Sequence, residues 1–145
     1  MHPNKDPGRI LKIINERFSQ NGNRHFARFG LTVAQFDILG ELWSAPEHKL
    51  TFKELEQRLH IAQSTTFCTV TRLAKKGFVR KLDDPTDKRV KYVQLREKGS
   101  SICARFFSDK EEQQRIQNLG LTPEELSQLN MLLEKVLKHL DAINE

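Results

Sequence analysis

Residues 73–95 read LAKKGFVRKLDDPTDKRVKYVQL, and they give more information about the structure than any other part of the chain. Two strand-like runs, residues 78–82 and 90–95, are rich in β-branched and aromatic residues, and the second alternates apolar with polar side chains. An acidic, proline-bearing turn joins them and carries Asp87, Lys88 and Arg89. Gly77 separates the pair from a helix-like segment before it. The pattern predicts a β-hairpin with a long basic tip directly after a short helix.

Helix signals surround this hairpin on both sides. Thr32, Thr51 and Thr122 are each followed three residues later by Gln or Glu, which is the signature of a helix capping box. Together with the apolar spacing they predict helices over about 7–29, 32–44, 51–59, 62–76, 97–118 and 122–144. The second of these should bury Phe36, Leu39, Leu42 and Trp43, the third Leu55 and Leu59, and the fourth Phe67, Val70 and Leu73.

The fourth helix is polar on its other side. This side presents Gln63, Ser64, Thr65, Cys68, Thr69 and Arg72. Two helices joined by a tight turn at residues 60–61, the second with a polar outer face, form a helix-turn-helix pattern. A helix followed by a basic hairpin can place one element in each groove of a DNA duplex.

The charge of the chain is concentrated in the same region. The net charge of the 145 residues is +5, whereas residues 72–98 alone carry +6, so the rest is near neutral. A localised positive field suits a polyanion such as nucleic acid, although a solvated charged face is an equally good explanation of the charge alone. The chain lacks any disulfide framework, metal-ligand spacing, signal-like start or membrane-span-like run, so we expect a cytoplasmic protein with no cofactor.

The order of these motifs resembles the MarR (multiple antibiotic resistance regulator) family. The matching motifs are Ser64-Thr65-Thr66, the run from Arg72 to Val79, the wing from Asp84 to Arg89, and Leu95-Arg96-Glu97-Lys98-Gly99. The resemblance covers nearly the whole chain and implies a mainly α fold with a small β-hairpin wing. It divides residues 1–145, as one MarR-like domain, into a winged helix-turn-helix DNA-binding head at about 31–95 and a helical dimerisation region at about 7–29 and 97–145.

The resemblance also implies a function and a set of site residues. The protein would be a sequence-specific, ligand-responsive repressor that binds a pseudo-palindromic double-stranded operator as a homodimer. The fourth helix would enter the major groove, and the wing would place Arg89 in the minor groove with Asp87 orienting its guanidinium. The full set of expected DNA-binding residues is Gln63, Ser64, Thr65, Thr69, Arg72, Asp87, Lys88, Arg89 and Lys91.

A small aromatic or anionic effector would bind between the head and the helical region. By family position, its pocket would involve Phe18, His25, Phe26, Phe29 and Trp43. Two alternatives stay open: a winged-helix dimer that recognises protein instead of DNA, and a regulator that senses oxidants through Cys68 or Cys103. We find no catalytic constellation or metal-ligand set among the His, Glu and Asp residues, so an enzyme is not expected.

Overall fold

The computed structural model describes residues 6–145 and is mainly helical, with one small antiparallel sheet. The helices are α1 (Pro7–Ala27), α2 (Val33–Ser44), α3 (Phe52–Leu59), α4 (Gln63–Lys75), α5 (Glu97–Phe106), α6 (Asp109–Gln117) and α7 (Pro123–Asn144). The strands are β1 (Lys49–Thr51), β2 (Val79–Asp83) and β3 (Lys91–Leu95), and a short 3₁₀ turn covers Pro46–His48. The predicted mainly α fold with a β-hairpin wing is confirmed; the first five residues of the predicted domain lie outside the described range.

The capping threonines fix where three helices begin. At α2, Thr32 Oγ1 accepts from the Gln35 amide at 3.2 Å, and Gln35 Oε1 accepts from the Thr32 amide at 3.2 Å. At α7, Thr122 Oγ1 accepts from the Glu125 amide at 3.2 Å, and Glu125 Oε1 accepts from the Thr122 amide at 3.1 Å. At α3, Thr51 accepts from the Glu54 amide at 3.0 Å, which is the first half of the predicted box. Each bond satisfies a backbone N–H that the helix itself leaves unpaired.

The sheet has the order β1–β3–β2 and contains a strand that the sequence did not predict. β1 is only three residues long, too short for alternation to reveal it, and it pairs Leu50 with Val93 of β3. On the other side of β3, Val79 lies opposite Leu95 and Lys81 lies opposite Val93. Directly opposite residues share a face of the sheet, so Leu50, Val79, Val93 and Leu95 form its buried face.

A core behind this sheet joins α2, α3 and α4. Its fully buried apolar side chains are Ile38, Leu39, Leu42, Leu55, Val70, Leu73, Phe78, Val79 and Val93. Three burial predictions need correction. Trp43 and Leu59 are only half-buried, and Phe67 is 56% exposed because it lies on the flank of α4 rather than on its inner face.

The single helix predicted over residues 97–118 is wrong, because α5 ends at Phe106 and α6 begins at Asp109. Ser108 adopts an extended conformation at the start of α6, and three acidic residues follow in the first turn, where the helix dipole favours negative charge. Arg115 of α6 stabilises the break between α5 and α6 through contacts with Phe106. Its Nη1 donates to the Phe106 carbonyl at 2.9 Å, and its guanidinium lies 4.1 Å from the centre of the Phe106 ring.

The chain divides into two compact units, one up to Cys103 and one from Ala104 to Glu145. In the first unit, α1 leaves Ile10, Leu11, Ile13, Ile14 and Phe18 between 41% and 56% exposed. In the second, α7 buries no side chain and leaves apolar residues 37–65% exposed: Leu129, Met131, Leu132, Leu133, Val136, Leu137, Leu140 and Ile143. Each unit therefore carries a helix whose apolar face is uncovered in the single chain. Across residues 6–145, every helix is too short or too polar to cross a lipid bilayer.

Candidate nucleic-acid interface

The helix-turn-helix is formed by α3, a three-residue turn and α4. His60 ends α3 in the left-handed conformation (φ 52°, ψ 44°), and the Ile61 amide donates to the Glu56 carbonyl at 3.2 Å. Ala62 then starts α4 without a side-chain cap, as expected for a residue with no acceptor. The free amides of this uncapped end remain available to a phosphate.

Helix α4 presents a polar outer face, but one predicted member is missing from it. Gln63, Ser64, Thr65 and Arg72 are exposed, whereas Thr69 is only 8% exposed. The Thr69 hydroxyl donates to the Thr65 carbonyl at 2.8 Å, one turn back along the helix. The prediction that Thr69 lies on the outer face is therefore wrong, because Thr69 lies beside buried Val70 and satisfies its hydroxyl internally.

Two outer-face residues were missed. Thr71 and Lys75 are exposed on α4, and they follow Cys68 and Arg72, respectively, by three residues, or about one turn. Their spacing from Cys68 and Arg72 could have revealed them, because residues three or four apart share a helix face. The outer face thus carries two cations, Arg72 and Lys75.

Lys76 fixes the carboxyl end of α4 to the turn between α1 and α2. Its Nζ donates to the Gly30 carbonyl at 2.5 Å and to Gln35 Oε1 at 3.1 Å. Its own carbonyl accepts from Lys98 Nζ at 2.9 Å. A cation near the last carbonyls of α4 also complements the helix dipole. The orientation of α4 is thereby tied to both neighbouring segments.

The wing tip holds Arg89 in the geometry predicted from its spacing to Asp87. Arg89 Nε donates to Asp87 Oδ1 at 3.1 Å and Nη2 donates to Oδ2 at 3.2 Å, while the Arg89 amide also donates to Oδ1 at 3.0 Å. The guanidinium hydrogen bond, followed by the amide bond, lowers the pKa of Asp87 below its ordinary value. The Arg89 side chain is still 90% exposed, so it is oriented without being covered.

Asp84 organises the same tip, and it was not among the predicted site residues. Its Oδ1 accepts from the Thr86 amide and hydroxyl at 2.9 Å each and from the Asp87 amide at 3.1 Å. Its Oδ2 accepts from the Tyr92 hydroxyl at 3.2 Å. These bonds, led by the Thr86 amide, lower the pKa of Asp84. The Asp-Pro-Thr-Asp order could have indicated this role, because Asp commonly binds backbone amides two residues on.

The remaining wing cations differ in their partners. Lys88 is exposed at the tip, whereas Lys91 forms an exposed ion pair with Asp83 across the hairpin. Lys81, which was not predicted as a site residue, reaches from β2 to α4 and donates to Thr71 Oγ1 at 2.8 Å. Exposed pairs of this kind contribute little to stability, so these lysines remain able to exchange partners.

The five predicted effector residues do not line the cavity found next to α1 and α2. Phe26 is buried and stacks on Phe36 at 4.3 Å, with the His25 ring 5.2 Å from that of Phe26 and 6.2 Å from that of Phe29. Trp43, in the last turn of α2, stacks on His48 at 4.9 Å, and Phe18 is 56% exposed. The cavity, of about 620 Å³, is lined by Asn15, Ser19, Asn23, Ala27, Leu31, Thr32, Val33, Ala34 and Asp37.

The lining of this cavity includes one carboxylate, Asp37. Burial, followed by the nearby Glu41 charge, raises the pKa of Asp37 above its ordinary value. Asn23 Oδ1 accepts from the Val33 amide at 2.8 Å and so joins the two cavity walls. This lining suits a neutral or cationic molecule better than an anion, because an anion would lie near the Asp37 carboxylate.

The two cysteines lie in different environments. Cys68 is exposed on the outer face of α4, whereas Cys103 is fully buried and its Sγ lies 3.6 Å from the Leu39 carbonyl. Burial raises the pKa of the Cys103 thiol to about 12, which leaves almost no reactive thiolate at neutral pH. Among residues 6–145, no group of three His, Cys, Asp or Glu side chains is placed to hold a metal ion.

Comparison with known proteins places this arrangement in a family. Residues 31–91 match the sequence model of the MarR family. The chain is 30% identical over 133 residues to the multiple antibiotic resistance protein MarR of Escherichia coli, covering 90% of each chain. It is 32% identical to an uncharacterised HTH-type transcriptional regulator of Bacillus cereus, covering 90% of this chain and 86% of that one.

Solved structures agree in fold. A cysteine-to-serine mutant of E. coli MarR complexed with operator DNA superposes with a TM-score of 0.76 at 30% identity, over 90% of this chain and 92% of that one. The Staphylococcus aureus MepR–DNA complex gives a TM-score of 0.82 at 23% identity, over 93% and 98% of the two chains. With the helix-turn-helix, the wing and near full-length similarity in agreement, the chain belongs to the MarR family.

Proposed function

We propose that this protein is a transcription regulator that binds a pseudo-palindromic double-stranded operator as a homodimer. The observation that carries the proposal is the pairing of an outer face on α4 with an oriented, exposed Arg89 on the wing. The E. coli relative, which is similar over nearly the whole chain, has been crystallised with operator DNA. Such a function implies a cytoplasmic location, because the regulated DNA is there.

The proposed roles follow from the geometry of each element. Gln63, Ser64, Thr65 and Arg72 would contact base edges or flanking phosphates in the major groove, and Thr71 and Lys75 join them on the same face. Thr69 is buried and would not reach the DNA from this face.

On the wing, Arg89 would enter the minor groove, where a narrow groove concentrates negative potential. Asp87 fixes the direction of its guanidinium through two parallel hydrogen bonds. Lys88 and Lys91 would lie near phosphates, and Lys91 would exchange Asp83 for a phosphate oxygen.

We further propose that a small ligand weakens DNA binding by occupying the cavity beside α1 and α2. Leu31 and Thr32 line the cavity, and Lys76 binds the neighbouring Gly30 carbonyl and the capping residue Gln35. A ligand that moves this turn would therefore act on the carboxyl end of α4 through Lys76. The ligand can change the DNA affinity by no more than the ratio of its own affinities for the DNA-bound and the free protein.

DNA binding is tested by selecting duplexes from a random pool and measuring affinity against salt concentration. The logarithm of the affinity should fall steeply with the logarithm of salt, by about 0.9 for each phosphate neutralised. Arg89→Ala should weaken binding about tenfold or more, most of all for sites with a narrow minor groove. Lys110→Ala removes one exposed positive charge from α6 and serves as the control.

Two outcomes would overturn the proposal. A wild-type protein that selects no duplex, even at low salt, is not a DNA regulator and would instead fit a protein-interaction module. If Arg89→Ala and Lys110→Ala bind selected DNA equally well, Arg89 has no place in the minor groove.

A further inference from the structure

Phe67 is the large apolar side chain of α4 that the protein does not bury. The other large apolar residues of the helix, Val70 and Leu73, are fully buried, whereas Phe67 is 56% exposed. Scattered apolar residues are common on protein surfaces, but this one lies within the helix proposed to enter the major groove. Its place on that helix therefore decides what it can contact.

Phe67 stands between the outer face of α4 and the wing. Ser64 precedes it by three residues and Thr71 follows by four, so all three share one side of the helix, and all three are exposed. Lys81 of β2 approaches the same spot, with its Nζ 4.5 Å from the centre of the Phe67 ring. Because Lys81 also donates to Thr71, the ring borders the outer face directly.

Contacts on two sides hold the ring in place. The ammonium of Lys81 lies over it from the wing, and the Phe52 ring of α3 lies 6.5 Å away, tilted by 32°. A cation over an aromatic face and a neighbouring ring both restrict its rotation. The uncovered part of Phe67 is therefore a positioned apolar surface beside hydroxyl and ammonium groups.

We propose that Phe67 reads a thymine by contacting its C5-methyl group in the major groove; this rests on the proposed DNA-binding function. The thymine methyl is the apolar feature of the major-groove edge, and a side chain without donors or acceptors can distinguish bases only through it. The methyl lies close to its own sugar-phosphate strand. The Lys81 ammonium beside Phe67 provides a partner for a phosphate of that strand.

A purely structural role for Phe67 makes a different prediction. If the ring only clamps the wing to α4 through Lys81, its loss should weaken all duplexes alike, whatever groups line the groove. If Phe67 contacts a thymine methyl group, the loss of DNA affinity on replacing Phe67 must depend on whether that methyl group is present. Replacing thymine by deoxyuridine removes the methyl and leaves the hydrogen-bonding edge intact, so it separates the two roles.

The experiment begins with duplexes that the wild-type protein selects from a random pool. Each thymine is then replaced by deoxyuridine, in both half-sites together, and the dissociation constants are measured for wild type, Phe67→Leu and Phe67→Gln. We expect one thymine position whose replacement weakens wild-type binding by about fourfold per half-site, the effect of one buried methyl group. This loss should persist in Phe67→Leu and disappear in Phe67→Gln, two variants of similar size that differ in polarity.

The outcomes separate the inference from the function on which it rests. Wild-type protein that binds selected duplexes with equal affinity for thymine and deoxyuridine at every position overturns the inference alone. The inference is overturned too if every methyl dependence of the wild type survives unchanged in a folded Phe67→Gln variant. Failure of the wild type to select any duplex overturns the proposed function and the inference together.

Discussion

Gly99 is a residue at which a single added methyl group should be destabilising. It lies in the first turn of α5, and a Cβ there would stand 2.5 Å from the Phe78 carbonyl oxygen and 3.0 Å from Leu95 Cδ2. The first neighbour is backbone and cannot rotate away. Gly99→Ala should therefore lower the free energy of unfolding by about 1–3 kcal/mol, as overpacking does elsewhere. Urea denaturation followed by circular dichroism measures this change.

Gly8→Ala is the matched control for Gly99→Ala. Gly8 is also in the first turn of a helix, but a Cβ there would meet only Asp6 side-chain atoms at 3.6 Å or more, which is ordinary contact. Its stability should match or slightly exceed that of the wild type, because alanine restricts the unfolded chain. A Gly99→Ala variant as stable as Gly8→Ala would show that the α5 start can move away from Phe78.

Single residues were predicted well where the signal was local. The pairing of Asp87 with Arg89 depends only on their separation of two residues in a turn, and both hydrogen bonds are present. Thr69 was misplaced because the boundary between the two faces of α4 depends on how the helix is rotated against α2 and α3. Tertiary packing sets that rotation, and the composition of one helix cannot reveal it.

The titration of Tyr92, the single tyrosine of the chain, should report on the hydrogen-bonding network of the wing. The hydrogen bond to Asp84, followed by burial, raises the pKa of Tyr92 above 10.0. Asp84→Asn removes the negative charge that opposes ionisation, so the pKa should fall toward its ordinary value. The absorbance of the phenolate reports the midpoint directly. Asp83→Asn is the control, since Asp83 pairs with Lys91 and not with Tyr92.

The same network gives the wing a defined pH dependence. The folded pKa of Asp84 is depressed, so its contribution to wing stability is present above about pH 3.8 and is lost as the pH falls through the folded pKa. The pKa of Tyr92 is raised, so its contribution is present below about pH 10.0 and is lost as the pH rises through the folded pKa. Equal pKa values of Tyr92 in the wild type and in Asp84→Asn would contradict the hydrogen bond between Tyr92 and Asp84.

At the scale of elements, the sequence predicted six helices and a hairpin, and the structure has seven helices and three strands within residues 6–145. The helix starts were accurate because Thr32, Thr51 and Thr122 accept backbone hydrogen bonds locally. β1 was missed because its three residues are a strand only through pairing with β3, a non-local partner. The break between α5 and α6 was missed because Arg115, nine residues beyond Phe106, helps to stabilise it.

In the whole molecule, α1 and α7 expose apolar faces that the proposed homodimer would cover. In α7, Leu129, Leu133, Val136, Leu137 and Leu140 recur at spacings of three and four, and all are at least 37% exposed. An apolar stripe of this kind is ordinarily buried against another helix. The proposed homodimer supplies that helix and also accounts for two DNA-binding heads meeting successive major grooves about 34 Å apart.

Leu137→Glu should therefore separate the proposed dimer. Leu137 is 59% exposed in the single chain, so glutamate is tolerated there by the monomer, whereas a dimer interface would have to bury its charge. Light scattering during size-exclusion chromatography should show a monomer at micromolar concentration. Affinity for a two-half-site duplex should fall about a hundredfold, because the second head is no longer tethered to the first.

Lys135→Glu provides the matched control for this variant. Lys135 lies in α7 on the side away from the apolar stripe, so the same glutamate there places a negative charge on the helix, in place of a positive one, without entering the proposed interface. It should remain a dimer and retain most of its DNA affinity. If Leu137→Glu also remains a dimer, the α7 stripe is not the subunit interface, and the exposed apolar residues of α1 become the next surface to test by the same substitution.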